Sequence, residues 1–517
     1  MPLRFAYGLA ALSGLLLSGS MPGPDLGALA WVALVPLLWA LHGRSPREAF
    51  RLGGLAGLVY FGTLLYWVYA VWDWASFAIV PGHLILSGYL ALYWGAFGAL
   101  SAFLARRLPL SLLTIALPAL WVVLEYVRAL GRFGFPWGQA ADALYQQLPF
   151  VQLASLGGIW AVSFLVVFVN ALIFAAVRAR SARYGLLALG VLAAAFLWGQ
   201  TRLAAPIPEG PERKLALVQP SIPQRLRGNP QLLEEHARVY LRLLEEVARS
   251  ETPADWVVLP ESILPTLVLD DPRVLEPLRE WAAGQNVTLL FGTYIAEGED
   301  ILNGATGLSP SGEVLGRYAK VQLVPFSTEY FPGASLLERL GITRFLPVGT
   351  RLGLLTPGSG WEPLLLPEGA VGTPICFESI FSRIARAFVR NGAELIITVT
   401  NDAWFKRTWA LEQHFAKGVF RAVETGRYFV QAANTGISGI VDPRGRILAQ
   451  TKKDERTVLW GTVRLLQGRT PFVRYGDGFV HLLGLIVLWV LVRARSGLRG
   501  PVVTPTAPDS SRPALGA

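Results

Sequence analysis

Three residues of this chain could do chemistry because of their types and places. Glu261 closes the apolar run "DWVVLPES", Lys320 closes "GRYAK" ahead of "VQLVPF", and Cys376, the only cysteine in 517 residues, closes "GAVGTPIC". Each is an ionisable or nucleophilic side chain at the end of an apolar strand pattern, where layered α/β folds tend to place their sites. Taken singly they read as a capping acid, a surface charge and a small core thiol. Together they divide the labour of one reaction. A thiol with a pKa of about 8.5 is mostly protonated at neutral pH and needs a base, or a cation that favours its thiolate. Glu261 can take the proton, and Lys320 can stabilise the oxyanion formed when the thiolate adds to a carbonyl. The competing assignment is a Cys-His pair with His414, but His414 stands inside the helical pattern "ALEQHFAKGVF" and reads as a packed or capping residue.

The elements that must position these residues are legible as periodicity. "KLALVQ", "DWVVLP", "VTLLFGTY", "ELIITVT" and "YFVQAAN" read as buried strands, while "NPQLLEEHARVYLRLLEEVARS" and "ALEQHFAKGVFRAVETG" carry the 3.6-residue period of amphipathic helices. Such alternation predicts an α/β layered domain over residues 205–470. The "NVT" at Asn286 matches a glycosylation acceptor formally but falls in an apparent buried strand.

The rest of the chain obeys different physics. With 53% hydrophobic residues and a mean hydropathy of +0.43, much of it must face lipid. Seven apolar runs, near residues 4–20, 27–43, 51–71, 77–104, 110–127, 150–177 and 184–200, precede the α/β region, and an eighth, "FVHLLGLIVLWVLV", follows it. The sequence therefore predicts a membrane domain with seven transmembrane helices over 1–204, a C-terminal transmembrane helix over 471–495 and a disordered tail over 496–517. Arg44, Arg47 and Arg51, then Arg106 and Arg107, then Arg178, Arg180 and Arg183 fall in loops on one side, with Arg4. By the positive-inside rule that side is cytoplasmic, which puts the α/β domain outside. Phe133, Phe135 and Trp137, in the outer loop 128–149, suit the headgroup level.

Several classes of function lack their signatures. There is no phosphate-binding GxxxxGK[ST] loop, no GxSxG elbow and no Cys/His metal spacing. The net charge of +10 reads as membrane topology rather than nucleic-acid binding. The spans carry almost none of the intramembrane charges of a transporter, since Asp73 and Glu125 sit at span ends. Without a nucleotide to activate it, a carbonyl substrate of the thiolate must arrive already activated.

The order and contexts of Glu261, Lys320 and Cys376 resemble the Glu-Lys-Cys triad of the carbon-nitrogen hydrolase, or nitrilase, superfamily. The motifs that carry the resemblance are "LVQPSIPQ", "LPES", "YAKVQLVPFSTEYFP", "CFES", "TNDAWF" and "AANTGISGIVDPRG". Set between seven spans and one, the domain is similar to the apolipoprotein N-acyltransferase family over nearly the whole chain. That resemblance implies an α-β-β-α sandwich, no cofactor and a ping-pong reaction through a Cys376 thioester. An acyl chain would pass from a phospholipid, phosphatidylethanolamine by preference, to the α-amine of the N-terminal diacylglyceryl-cysteine of an apolipoprotein. This is the last step of bacterial lipoprotein maturation, at the periplasmic side of the inner membrane. The resemblance makes Glu261 the general base, Lys320 the oxyanion lysine and Cys376 the nucleophile. It makes Glu329 a support of the lysine, Glu378 a further active-site acid and the Phe377 N–H a part of the oxyanion hole, with Trp404 and Phe405 on a loop of substrate access. "PFSTE" is one residue longer than the family's "PFGE", Phe377 replaces a common tyrosine, Gly228 an occasional tryptophan, and Lys406 a glycine. The alternative reaction is release of the acyl group to water by a membrane-anchored amidase.

Overall fold

The β-branched runs become strands. The computed structural model describes residues 1–227, 229–339, 341 and 353–496; the tail from residue 497 onward and Gly228 lie outside the described residues. In chain order the strands are β1 (Glu212–Gln219), β2 (Trp256–Val258), β3 (Thr288–Glu297), β4 (Asp300–Leu308), β5 (Val314–Ala319), β6 (Leu364–Leu366), β7 (Gly369–Gly372), β8 (Leu395–Thr400), β9 (Phe429–Ala433), β10 (Gly439–Val441), β11 (Ile447–Gln450) and β12 (Thr457–Arg464). They form two six-stranded sheets, in the orders β12-β1-β2-β3-β4-β5 and β11-β10-β9-β8-β7-β6. Both follow one plan. β1, β2 and β3 run parallel, as do β7, β8 and β9, and antiparallel neighbours complete each sheet.

Strand alternation builds the layers. In β1, Leu215 and Leu217 join Trp256, Val258 and Leu290 in the core shared by the two sheets. Ala216 and Val218 join Val257, Leu259 and Phe291 under the helices Leu233–Ala248 and Pro272–Gln285. Strands buried on both faces read as continuous apolar runs. The helices Ser382–Arg390 and Ala410–Thr425 cover the second sheet, which completes the expected helix-sheet-sheet-helix sandwich. The helix over 272–285 starts at Asp271, whose carboxylate accepts from Arg273 N, and ends at Asn286, in the left-handed conformation at φ 53°. Asn286 is thus an exposed helix cap, not a residue of a buried strand as expected.

The apolar regions form helices, but not as eight uniform spans. Among the described residues, five helical stretches are long and apolar enough to cross a membrane: Tyr66–Ala105, Leu110–Arg128, Ile159–Ala179, Ala182–Ala204 and Gly478–Arg495. The first expected span, Leu3–Gly19, has 17 residues. The second is divided into a 3-10 turn, Gly27–Trp31, and a seven-residue helix, Val35–Leu41. The third is the helix Pro46–Leu64, opened by a capping box between Ser45 and Glu48 and charged at its start by Arg47 and Arg51. The sixth breaks at Gly158, at φ 69°, and its regular helix is Ile159–Ala179. The helix over 46–64 meets the helix Ile79–Ala105 through small residues. A Cβ on Gly53 would lie 2.2 Å from Trp94 O, and one on Gly98 would lie 2.2 Å from Ala49 O. This is close packing where apolar surroundings supply no hydrophobic drive.

Candidate active site

The three residues singled out from the sequence meet at the carboxyl ends of strands from both sheets. Glu261 follows β2, Lys320 directly follows β5, and Cys376 opens a 3-10 turn, Cys376–Ile380, after β7. Glu261 can press against β3 because residue 292 is glycine; a Cβ there would fall 2.5 Å from the Glu261 Cα. Cys376 and Ser262 sit at positive φ, 50° and 45°. Non-glycine residues hold such angles only when their surroundings over-determine them, and active sites are where they cluster.

Around the lysine the polar groups are closely matched. Lys320 Nζ donates to Glu329 Oε1 at 2.7 Å and to Glu261 Oε1 at 3.5 Å. Asn303 Nδ2 donates to the same two carboxylates, at 2.7 Å to Glu261 and 3.2 Å to Glu329. The second oxygen of each carboxylate accepts a backbone N–H, from Asn401 to Glu261 and from Val324 to Glu329, both at 2.8 Å. Burial works against the Lys320 ammonium, but the Glu329 and Glu261 carboxylates outweigh it and raise its pKa. Its proton is therefore held more firmly than that of a free lysine.

Cys376 is the opposite case. Burial first, then the Glu261 charge, push its thiol well above the ordinary value, against the pull of Lys320 and Thr400. The thiol rests protonated and requires a base at the moment of attack, a task that the neighbouring Glu261 carboxylate fits. His414 does not serve the sulfur. Its Nε2 lies 3.2 Å from the Cys376 carbonyl oxygen and 2.9 Å from Ser379 Oγ, while its Nδ1 lies 2.9 Å from Asp402 Oδ1.

Glu378 also faces away from the sulfur. It accepts from Tyr318 Oη, Val321 N and Ile375 N at 2.9 Å and from Gln322 N at 3.0 Å. It clamps the segment after Lys320 to the residue before Cys376. Phe377 is buried, its ring 5.2 Å from that of Phe381 and 6.1 Å from that of Phe135.

The apolar helices reach the site through aromatics. Trp404 lies edge-on to Trp74 at 5.4 Å, and Phe405 to Trp67 at 4.9 Å. Trp137 differs from its expected place at the headgroup level. It is 3% exposed, stacks on His414 at 6.0 Å and donates to Gln413 Oε1 at 2.7 Å. Phe133 is exposed and stacks on Phe326 at 5.6 Å.

Asn303, Asn401, Ser379 and Asp402 escaped the sequence reading. The only hint of Asn303 is a buried-strand pattern, "DILNGATGL", interrupted by an amide.

The site stands beside clear likenesses to known proteins. The family model for the apolipoprotein N-acyltransferase N-terminal domain matches residues 13–172, and that for carbon-nitrogen hydrolase matches residues 214–469. The apolipoprotein N-acyltransferase of Geobacter metallireducens is 39% identical, covering 92% of each chain. Those of Gloeobacter violaceus and Thermotoga maritima are 35% and 33% identical, covering 95% of this chain and 95% and 94% of their own.

Proposed function

This chain belongs to the apolipoprotein N-acyltransferase family, and from that membership we propose that Glu261, Lys320 and Cys376 carry its acyl transfer from lipid to protein. The observation that supports these roles best is the convergence of Lys320 Nζ on Glu329 at 2.7 Å and Glu261 at 3.5 Å, close enough to Cys376 for the Glu261 and Lys320 charges to act on its thiol. We further assign residues 1–204 and 471–495 to the membrane and 205–470 to the catalytic domain. The arginine pattern supports the periplasmic side of the inner membrane for that domain.

In the first half-reaction Glu261 removes the Cys376 proton and Sγ adds to the acyl carbonyl of a phospholipid, with phosphatidylethanolamine as the donor. Negative charge develops on the carbonyl oxygen between Lys320 Nζ and the Phe377 N–H. Collapse breaks the ester C–O bond, Glu261 returns the proton to the departing oxygen, and a lysophospholipid leaves a thioester behind. In the second half the α-amine of a diacylglyceryl-cysteine adds to the thioester. Glu261 takes a proton from the nitrogen, the C–S bond breaks, and the proton goes to the thiolate. Glu329 keeps the lysine in place and Glu378 fixes its spacing from the nucleophile. Trp404 and Phe405, against aromatics of the apolar helices, limit the water that would hydrolyse the thioester.

Intact-mass measurement after incubation with phosphatidylethanolamine tests the reading. Wild type should gain one acyl chain that hydroxylamine removes, and Cys376→Ala should gain none. N-acylation of a diacylated lipopeptide by Cys376→Ala would sink the mechanism. Release of free fatty acid in place of transfer would favour the amidase.

A further inference from the structure

His414, Asp402 and Ser379 form a buried polar chain that the mechanism above leaves unused. Its end point is the carbonyl oxygen of Cys376, which receives Ser379 Oγ at 2.8 Å and lies 3.2 Å from His414 Nε2. That carbonyl and the Phe377 N–H belong to one planar peptide, so whatever orients the oxygen orients the N–H on the opposite edge. The orientation needs support, because Cys376 is at φ 50°, a left-handed conformation that disfavours non-glycine residues.

One proton assignment satisfies every contact in the chain. Ser379 has one hydroxyl proton and gives it to the Cys376 carbonyl, so its oxygen accepts from His414 Nε2 at 2.9 Å. Nδ1 faces a carboxylate oxygen of Asp402 at 2.9 Å and also donates. In that assignment both nitrogens donate and the ring is an imidazolium. Asp402 is held by the Thr400 hydroxyl at 2.9 Å, and Gly436 leaves it room, since a Cβ there would lie 2.5 Å from Asp402 Oδ2. Trp137 covers the ring. A histidine that merely filled space would need one acceptor; this one is braced from both sides.

We propose that Asp402, His414 and Ser379 are positioning residues that hold and polarise the 376–377 peptide, so that the Phe377 N–H points at the developing oxyanion. Hydrogen bonds to a peptide oxygen strengthen the donor on the other edge of the same unit. The device rests on the reading of Cys376 as the acyl carrier. It supplies the half of the oxyanion hole that Lys320 does not.

Two reactions of the same sulfur separate this role from simple structural support. Acylation by a phospholipid develops an oxyanion; alkylation by iodoacetamide does not. In the full-length protein, His414→Ala should slow single-turnover acylation by about 10²-fold, the usual size of a lost oxyanion donor, while iodoacetamide alkylation and the donor KM stay within about twofold. Ser379→Ala, a smaller lesion, should slow acylation by roughly tenfold, and Ser379→Thr, which restores the hydroxyl, should recover most of it. Acylation at the wild-type rate in both alanine variants would overturn the proposal, as would an equal fall in acylation and alkylation. Neither result would touch the role of Cys376, which the Cys376→Ala experiment tests separately.

Discussion

Two buried lysines, one in the active site and one where the catalytic domain meets the apolar helices, show how the same residue type is made reactive or inert. Lys417 Nζ lies within hydrogen-bond distance of Pro136 O at 2.8 Å, Gln139 Oε1 at 3.2 Å, and Asp142 Oδ1 and Oδ2 at 2.8 and 2.7 Å. An ammonium has three N–H groups, and these acceptors exhaust them. Lys320 Nζ, among the described residues, has the acceptors Glu329 and Glu261, which leaves one N–H for a substrate oxygen. Burial lowers the Lys417 pKa although Asp142 opposes it, whereas two carboxylates raise that of Lys320. Charge and burial are shared by both lysines. What distinguishes Lys320, the lysine proposed to act in catalysis, is an unspent donor beside a second reactive group.

The largest test of that contrast is Lys320→Met. It removes the cation on which the oxyanion depends, so acyl transfer should fall by roughly 10³-fold. Iodoacetamide should also react more slowly with Cys376, because the thiol loses an attraction that lowers its pKa. A variant with near-normal transfer would erase the distinction between the two lysines. Next in size is Lys417→Met, which strands a buried Asp142 carboxylate and should cost about 3–5 kcal/mol, read as a lower unfolding midpoint. Turnover per folded molecule should change by less than about tenfold. Adding Asp142→Leu should restore most of the stability, since an apolar pair can replace a buried ion pair; a double variant no better than the single would mean that the seam needs its charges. The smallest effect belongs to a third lysine. Lys406 pairs with Asp73 at 2.9 Å with both side chains about half exposed, and Asp73→Asn should change stability by less than about 1 kcal/mol. A larger loss in thermal unfolding would show that Lys406 anchors the loop bearing Trp404.

Local sequence carried the strands and the reactive residues because both are local signals: β-branched runs, and a charge or thiol where such a run stops. Glu261, Lys320 and Cys376 could be picked out for that reason, although they come from two sheets. Their supports could not. Glu261 finds Asn401 140 residues away, and Asn303 serves two carboxylates from inside a strand whose pattern shows only an interruption. His414 was legible as a packed helical residue and invisible as a brace for Cys376, since nothing in "ALEQHFAKGVF" reveals what its imidazole faces. The membrane spans were legible as composition and less so as helices. Gly158 breaks one apolar run and a 3-10 turn divides another, and hydropathy records neither event.

Glu378 sets a dimension. Its carboxylate joins Val321 and Gln322 on one side to Ile375 on the other, and those residues adjoin Lys320 and Cys376 in the chain. The gap between Lys320 and Cys376 is therefore gauged across a single side chain. It does not accumulate the slack of twelve strands and two sheets. Drift of the cores over evolutionary time can alter strand packing without altering that gap, as long as this one spacer keeps its length and its charge.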